Sequence, residues 1–431
     1  MSDSKVEMTP TLESWRSDRE NIFDRFMEEI AYWSQNGNEP FDGGQDMRFC
    51  LDLEEKRLKD RGIDMHLDLE ASGAPAMQTG KVLGGVLNKY NRNTHYRSAV
   101  ETLSFSRKGK EIYSHKKDVT FYASIIEPDE GKEGIEKLTY SCPSCGAATT
   151  VGELTEKGCP YCGTQFMMKD LFPKVVNYYT METVPAPEKI EEKARRYPLI
   201  GAIGGASLAL IMGIFAGYLK QGIGGIFQLV FIMAVMAGMG AFILYLLYSL
   251  SLLGRLFKML GKSLPMLPAL GSDKKLDESL SQYDPAFSVE YFSAKAMSLF
   301  RAIVFSEEPS KLSFYEGGEI DGRFKRLVHS TYKGGVGVSS IKEEDGLLKV
   351  DLDLYLTDYY DEGEKIKAKE EKLKMRIVHK KEFKVDDSFS ITAVRCKGCG
   401  GSFKAMYQKS CPYCGKEYDL ALEDWEAVSI V

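Results

Sequence analysis

Two long stretches without a charged residue constrain this chain more than any other feature. The first lies between Arg196 and Lys220, and the second is Gln221–Gly254. Tyr197–Leu219 contains 23 residues, which as a helix can cross a hydrocarbon core of about 30 Å. A second span lies within Ile226–Leu253. We therefore predict a two-helix transmembrane hairpin, because helices buried in a soluble core rarely run this long without a charge.

Basic residues flank the hairpin on its outer ends, whereas the loop between the two spans carries only Lys220. Cytoplasmic loops of membrane proteins are enriched in lysine and arginine. This distribution predicts a multi-pass protein of the cell membrane with both termini in the cytoplasm. The flanking residues are Lys189, Lys193, Arg195 and Arg196 before the hairpin, and Arg255, Lys258 and Lys262 after it.

Eight of the nine cysteines form four Cys-x-x-Cys pairs, and the two pairs of each half are separated by 13 and 11 residues. This spacing is typical of a zinc ribbon, in which two turns each supply two thiolates to one tetrahedral ion. The sequence therefore predicts two ribbons and two zinc ions. The predicted ligands are Cys142, Cys145, Cys159 and Cys162 in the first ribbon, and Cys396, Cys399, Cys411 and Cys414 in the second.

Four cysteine ligands leave no open position on the metal, so we expect both sites to be structural rather than catalytic. Iron is the main rival to zinc for a four-thiolate site. Redox chemistry is another interpretation, but a thioredoxin-like motif would use one isolated pair. The ninth cysteine, Cys50, lies in the apolar stretch Met47–Leu51 and is expected to be a small buried hydrophobe.

Hydrophobic periodicity predicts that the two soluble parts are α+β modules. Apolar residues recur at helical spacing in Leu12–Trp33 and in Val289–Ile303, and several segments alternate as half-buried antiparallel strands do. The predicted strands are Met65–Leu69, Val119–Ile126, Val175–Thr180, Leu348–Leu356, Leu373–Ile377, Phe389–Ala393 and Trp425–Val431.

The two halves repeat one order of elements. The sequence Cys-Pro-Tyr-Cys-Gly occurs at 159–163 and at 411–415, and each copy follows a helix and strands and precedes a short aliphatic strand. We infer that the two halves are distant copies of one arrangement of helices, strands and ribbon, although chance reuse of ribbon turns would give a similar pattern. The predicted domains are 1–136 (first module), 137–182 (first ribbon), 183–196 (linker), 197–254 (hairpin), 255–283 (linker), 284–394 (second module) and 395–431 (second ribbon).

Charge and motif content argue against two functional classes. The net charge is −6, and basic runs are interleaved with acids, so we expect no nucleic-acid partner. The motifs Gly-x-Ser-x-Gly and Gly-x-Gly-x-x-Gly do not occur, and we predict that the protein is not an enzyme. The five histidines are scattered along the chain: His66, His95, His115, His329 and His379.

Residues 284–394 resemble the Tim-forty-four-like domain. They open with Asp-Pro-Ala-Phe-Ser at 284–288, continue with a helix carrying Phe292 and Phe300, and then pass to alternating strands. The ribbon that follows, of the rubredoxin type and ending at Asp424-Trp425, resembles the tail of bacterial membrane proteins of that kind. The resemblance implies a cone-like fold related to nuclear transport factor two, with an apolar groove, and a role in tethering proteins to membranes.

The leading functional hypothesis is a non-enzymatic membrane scaffold that presents two cytoplasmic ribbon modules to protein partners. The arrangement is also similar to zinc-ribbon membrane proteins that recruit stress-response coat proteins. The alternatives are a small-molecule or lipid sensor that uses the groove, and a transcription-associated ribbon protein. Small residues four apart would also permit a homo-oligomer through the membrane helices: Gly201 and Gly205, Gly213 and Gly217, Ala234 and Gly238.

Overall fold

The fold divides into two compact units. A computed structural model describes residues 12–71, 77–78, 90–128, 139–183, 187–263, 272–283, 287, 289–381, 394–403, 408, 410–417 and 425–431. The larger unit combines Met1–Met181 with Met266–Val431, and the smaller unit is Glu182–Pro265. The strand predicted at Phe389–Ala393 lies outside the described residues.

The first half of the larger unit has two helices followed by a sheet. Both long helices have an apolar face, which in α1 buries Phe23, Phe26 and Trp33. The predicted helix and strands of this half are confirmed, whereas α2 and β3 were not predicted. The elements are α1 (Leu12–Asn36), α2 (Gln45–Asp60), β1 (Asp64–Ala71), β2 (Met77–Gln78), β3 (Tyr90–Arg107), β4 (Lys110–Pro128), β5 (Thr139–Ser141), β6 (Ala148–Thr150), α3 (Met168–Leu171) and β7 (Lys174–Glu182).

The smaller unit is a helical hairpin of α4 (Pro187–Phe215) and α5 (Gly222–Ser263), joined by a short 3-10 turn. Glu192–Phe215 and Tyr218–Gly254 are long and apolar enough to cross a membrane. The helices continue into the predicted linkers, because 187–196 and 255–263 are helical. At about 1.5 Å per residue, α5 is roughly twice as long as a hydrocarbon core is thick.

Glycines bring the two hairpin helices into close contact. A Cβ atom on Gly201 would lie 2.2 Å from the carbonyl oxygen of Gly240, and one on Gly205 would lie 2.1 Å from that of Met236. A Cβ atom on Gly213 would likewise lie 2.2 Å from the Leu229 side chain, so three of the predicted packing residues are used within the hairpin. A Cβ atom on Gly238 would meet nothing within 4 Å. Self-association of the hairpin through the remaining small residues, among them Ala234 and Gly238, stays a prediction.

The second half of the larger unit again places helices before a four-stranded sheet. Its predicted helix and the strands that fall on described residues are confirmed, whereas the long strand β8 was not predicted. The elements are α6 (Ser272–Leu280), α7 (Val289–Phe305), β8 (Leu327–Glu344), β9 (Leu347–Asp361), β10 (Ile366–Lys380), β11 (Val394–Arg395), β12 (Ser402–Phe403) and β13 (Glu426–Ile430).

Apart from the short β2, which pairs with β3, the strands of both main sheets follow the same order. The strand orders are β1-β3-β4-β7 and β8-β9-β10-β13, so each sheet adds its strands in chain order. Each ribbon lies in the connection between the third main strand and the last strand of its sheet. This connection is 45 residues long in both halves, at 129–173 and at 381–425. In both halves a residue of the last strand also forms two backbone hydrogen bonds of 2.7 to 2.9 Å with an earlier loop. In the first half, Val175 bonds to Asp42 and Gly44, and in the second half Ala427 bonds to Phe314 and Glu316.

The halves pack against each other instead of forming the two separate modules that the sequence suggests. All fourteen residues from Phe292 to Phe305 in α7 are buried, because α7 has its own sheet on one side and α2 on the other. Lys295 on the α2 side bonds to Asp46 at 2.8 Å. Cys50 of α2 is 1% exposed and donates to the carbonyl oxygen of Ser298 at 3.3 Å, which confirms its predicted burial.

Replacement of Asp46 by alanine tests this junction. The Lys295 side chain is 2% exposed, so removal of the Asp46 carboxylate takes an ion-pair partner from a buried ammonium and should cost about 3 kcal/mol of unfolding free energy. Glu308→Ala is the matched control, because it breaks an exposed pair with Lys311 and should cost less than about 1 kcal/mol. Urea titration followed by tryptophan fluorescence measures both. Equal effects would contradict a packed junction.

Candidate metal centres

Each ribbon consists of two cysteine turns. In the first ribbon the turn at Cys142–Cys145 connects β5 to β6, and the turn at Cys159–Cys162 precedes α3. In the second, the first turn connects β11 to β12, and the other is closed by a bridge between Ser410 and Glu417. The second ribbon thus has a short antiparallel pairing at both turns, and the first ribbon has one, between β5 and β6.

All four turns have the same backbone geometry. The N–H of a glycine donates to the carbonyl oxygen of the first cysteine four residues earlier, at 2.8 to 2.9 Å. The N–H of that first cysteine in turn donates to a carbonyl oxygen five residues later, also at 2.8 to 2.9 Å. The glycines have φ between 72° and 76°, a conformation that strongly favours glycine: Gly146, Gly163, Gly400 and Gly415.

The turns bring all eight predicted cysteines into two four-sulfur clusters. Within each cluster the Sγ atoms lie within 4.8 Å of one another, and cysteines of facing turns have Sγ atoms 3.7 Å apart in the first cluster and 3.6 Å apart in the second. A tetrahedral ion with metal–sulfur bonds of about 2.3 Å requires sulfurs about 3.8 Å apart. A disulfide would require about 2.05 Å, and all these cysteines are free. The residues present therefore fit a tetrahedral metal ion.

Backbone donors favour the thiolate form that a metal requires. The N–H groups of Cys399 and Gly398 donate to the Cys396 sulfur and lower the pKa of this thiol to about 6. Hydrogen bonds from Thr164 lower the pKa of the Cys162 thiol to about 6 in the first cluster. Burial raises the pKa of Cys142 to about 12, so a cation is needed before this thiol also ionises near neutral pH.

The ribbons are anchored to the rest of the larger unit in different ways. The first has a small core of its own, in which Cys142 and Cys159 pack with Leu154 and Phe172. In the second, the buried cysteines join the main apolar core of the second half together with Phe403. The first cysteine of every turn is buried and the second is exposed. Each cluster thus lies at the surface with one side supported by the core.

The two ribbons also contact each other, although their cysteines are more than 230 residues apart in sequence. The backbone N–H of Ala148 donates to Ser402 Oγ at 2.8 Å. The hydroxyl of Tyr161, from the first Cys-Pro-Tyr-Cys turn, donates to the carbonyl oxygen of Gly400 at 2.9 Å. Arg395 and Glu153 add an ion pair at 3.6 Å. This contact between the ribbons was not predicted, because no local sequence pattern links the partners.

The described part of the chain contains no third group of three or more metal-ligating side chains. Two of the scattered histidines lie instead beside buried glutamates at the junction of the halves. His329 bonds to Glu54, and His115 bonds to Glu101 at 2.9 Å. The ring of Tyr359 packs between the two histidines. Comparison with protein-family models, with curated proteins and with solved structures finds no match to this chain.

Tyr161→Phe tests whether the ribbons support each other. The variant removes the hydrogen bond to Gly400, and a loss of about 1 kcal/mol predicts roughly fivefold faster metal release to a chelator. Tyr413→Phe is the matched control, because Tyr413 holds the same place in the second ribbon but is 70% exposed. Its release rate should stay unchanged. A dye that reports free metal follows both reactions, and equal rates would contradict the coupling.

Proposed function

We propose that each four-cysteine cluster holds one zinc ion with a structural role. The sulfur separations and the fully filled ligand set support zinc, which favours four tetrahedral ligands in such sites. A mononuclear iron site would have the same geometry but would absorb visible light when oxidised. The zinc ions would fix the ribbons that precede β7 and β13 and thereby hold each last strand in its sheet.

The hairpin would anchor the protein in the cell membrane as a two-pass segment with both termini in the cytoplasm. Its large apolar side chains support this proposal, because they are not covered by other parts of the hairpin. Phe215 is 88% exposed, Ile223 is 76% exposed and Phe227 is 72% exposed. Lipid is the partner that would cover such a surface. The basic residues at both outer ends support the cytoplasmic orientation.

The whole protein would act as a non-enzymatic scaffold or tether that recruits proteins to the membrane. The observation that carries this proposal is the pair of adjoining four-cysteine clusters, which offer no open ligand position for catalysis. The resemblance to Tim-forty-four-like domains implies the same kind of role. The protein's acidic balance argues against nucleic acid as the recruited partner.

The exposed face of the ribbons is the proposed contact surface for protein partners, which would include coat-type stress proteins. Tyr161 is 48% exposed and Tyr413 is 70% exposed, although both are large aromatic residues. Tyrosine is enriched in protein interfaces, where its ring packs and its hydroxyl still bonds. A zinc-fixed turn would hold such a ring in place without the flexibility of an ordinary loop.

Site-specific photo-crosslinking in intact membranes tests the scaffold proposal. A photoreactive phenylalanine at position 413 should give a discrete protein adduct, and Cys396→Ser in the same chain should abolish it by unfolding the ribbon. The control position is Tyr32, which is 55% exposed on α1 of the same unit. Equal adducts at both positions, or an adduct that survives Cys396→Ser, would contradict ribbon-dependent recruitment.

A further inference from the structure

A small cleft lies at the junction of the two halves, and no cysteine of either metal cluster lines it. Its walls come from the first sheet, from the start of α7 and from β8. Ser124 lies on the face of β4 opposite to Phe121, whose ring packs on Phe23 of α1. The cleft therefore uses the face of the first sheet that α1 leaves uncovered. Its volume is about 110 Å³.

Two buried polar side chains line this cleft without a partner. Asn177 of β7 is 5% exposed and Ser293 of α7 is 9% exposed. Neither the carboxamide of Asn177 nor the hydroxyl of Ser293 hydrogen-bonds to another group in the described part of the chain. The polar atoms of the two side chains are not fully enclosed, so they remain accessible from the cleft. These groups are thus available to something that enters the cleft.

Aromatic rings make the cleft rigid. The ring of Tyr179 stacks on Tyr122 with centroids 4.7 Å apart and planes 10° apart. On its other side, Tyr332 meets the Tyr179 ring edge-on at 5.4 Å. Thr94 and Ser124 bond to each other through their hydroxyls at 3.0 Å and form a polar floor beside these rings. The wall positions are fixed before any ligand arrives, which reduces the entropy cost of binding.

The strand β8 bulges at the cleft. Its pairing with β9 shifts register between Tyr332 and Val336, and residues 333–335 have no partner on β9. Gly334 has φ of +79°, and a Cβ atom there would lie 2.3 Å from the ring of Tyr179. Glycine is thus required for close approach of the backbone to this wall. Bulges of this kind are over-represented beside binding and active sites.

The lining chemistry selects a neutral polar group. In the described part of the chain no lysine, arginine or histidine lines the cleft, whereas Glu290 does, so an anion would be repelled. The volume exceeds the roughly 10–15 Å³ that one water needs, but it is below the about 300 Å³ of sites for whole ligands. One end of a ligand fits. A lipid chain or a nucleotide does not.

We propose that this cleft binds the side-chain carboxamide of glutamine or asparagine. A carboxamide can accept from the Asn177 N–H group and donate to the Asn177 oxygen at the same time, and it has a further donor for Ser293. The flat, apolar face of the carboxamide would pack against the ring of Tyr179. The carboxamide is supplied either by the free amino acid or by a residue of a polypeptide, and both sources present the same group to Asn177.

Calorimetry on the full chain in lipid nanodiscs tests the proposal with three probes. These are L-glutamine, N-acetyl-glutamine N-methylamide as the polypeptide form, and L-glutamate as the charged isostere. Binding of the first probe alone would assign the free amino acid, and binding of the second alone would assign a polypeptide. Binding of both would assign the carboxamide without further contacts. L-Glutamate should bind at least tenfold more weakly, because its carboxylate cannot donate to Asn177.

Substitutions in the cleft test whether the binding takes place there. Asn177→Leu should weaken the binding at least tenfold and should not lower the unfolding midpoint, because the Asn177 side chain makes no hydrogen bond in the described part of the chain that the change would remove. Asn36→Leu, at the exposed end of α1, is the matched control. Ser293→Ala should weaken binding as well. It provides a second test of the cleft if the Asn177→Leu variant does not fold. Absence of binding by both amides, glutamate binding as tight as glutamine, or binding unchanged in both cleft variants would overturn the proposal.

Discussion

A four-cysteine cluster lies in the connection before the last strand of each main sheet, where a bound metal ion would cross-link the chain. The chain leaves each sheet after its third main strand, and 45 residues that include a ribbon separate this strand from β7 or β13. Closing a loop of this length costs conformational entropy, and a four-thiolate ion within it would remove much of that cost from the folding of the sheet. The ribbons are thus parts of the sheets' connectivity rather than additions to them.

The contact between the halves follows from this repeated plan. Each half contributes a long helix that covers its own sheet, and α7 is covered on its other side by α2 of the first half. The buried ammonium of Lys295 in α7 is paired across this junction with Asp46 of α2. The two ribbons then meet side by side, so that Tyr161 of one reaches the backbone of the other. Two similar halves thereby form one compact unit.

Local patterns in the sequence predict the parts of the fold that depend on local chemistry. Cysteine spacing predicts both clusters, since a Cys-x-x-Cys turn fixes two sulfurs whatever surrounds it. The absence of charge predicts the two apolar helices, and strict alternation predicts the segments Leu348–Leu356 of β9 and Leu373–Ile377 of β10. The junction was not predictable in the same way. Lys295 and Arg301 appear in the sequence as a solvated helix face, and their burial depends on partners far away in the chain. The strand β8 was missed because its glycines, including the bulged Gly334, interrupt the pattern.

X-ray absorption at the zinc edge of the full chain, purified from membranes, tests the central claim most directly. The account predicts two zinc ions per chain, each with four sulfur ligands at about 2.3 Å and no oxygen or nitrogen ligand. A first shell that contains oxygen or nitrogen would indicate an open site. That result, or cysteines joined in disulfides, would contradict two structural four-thiolate centres.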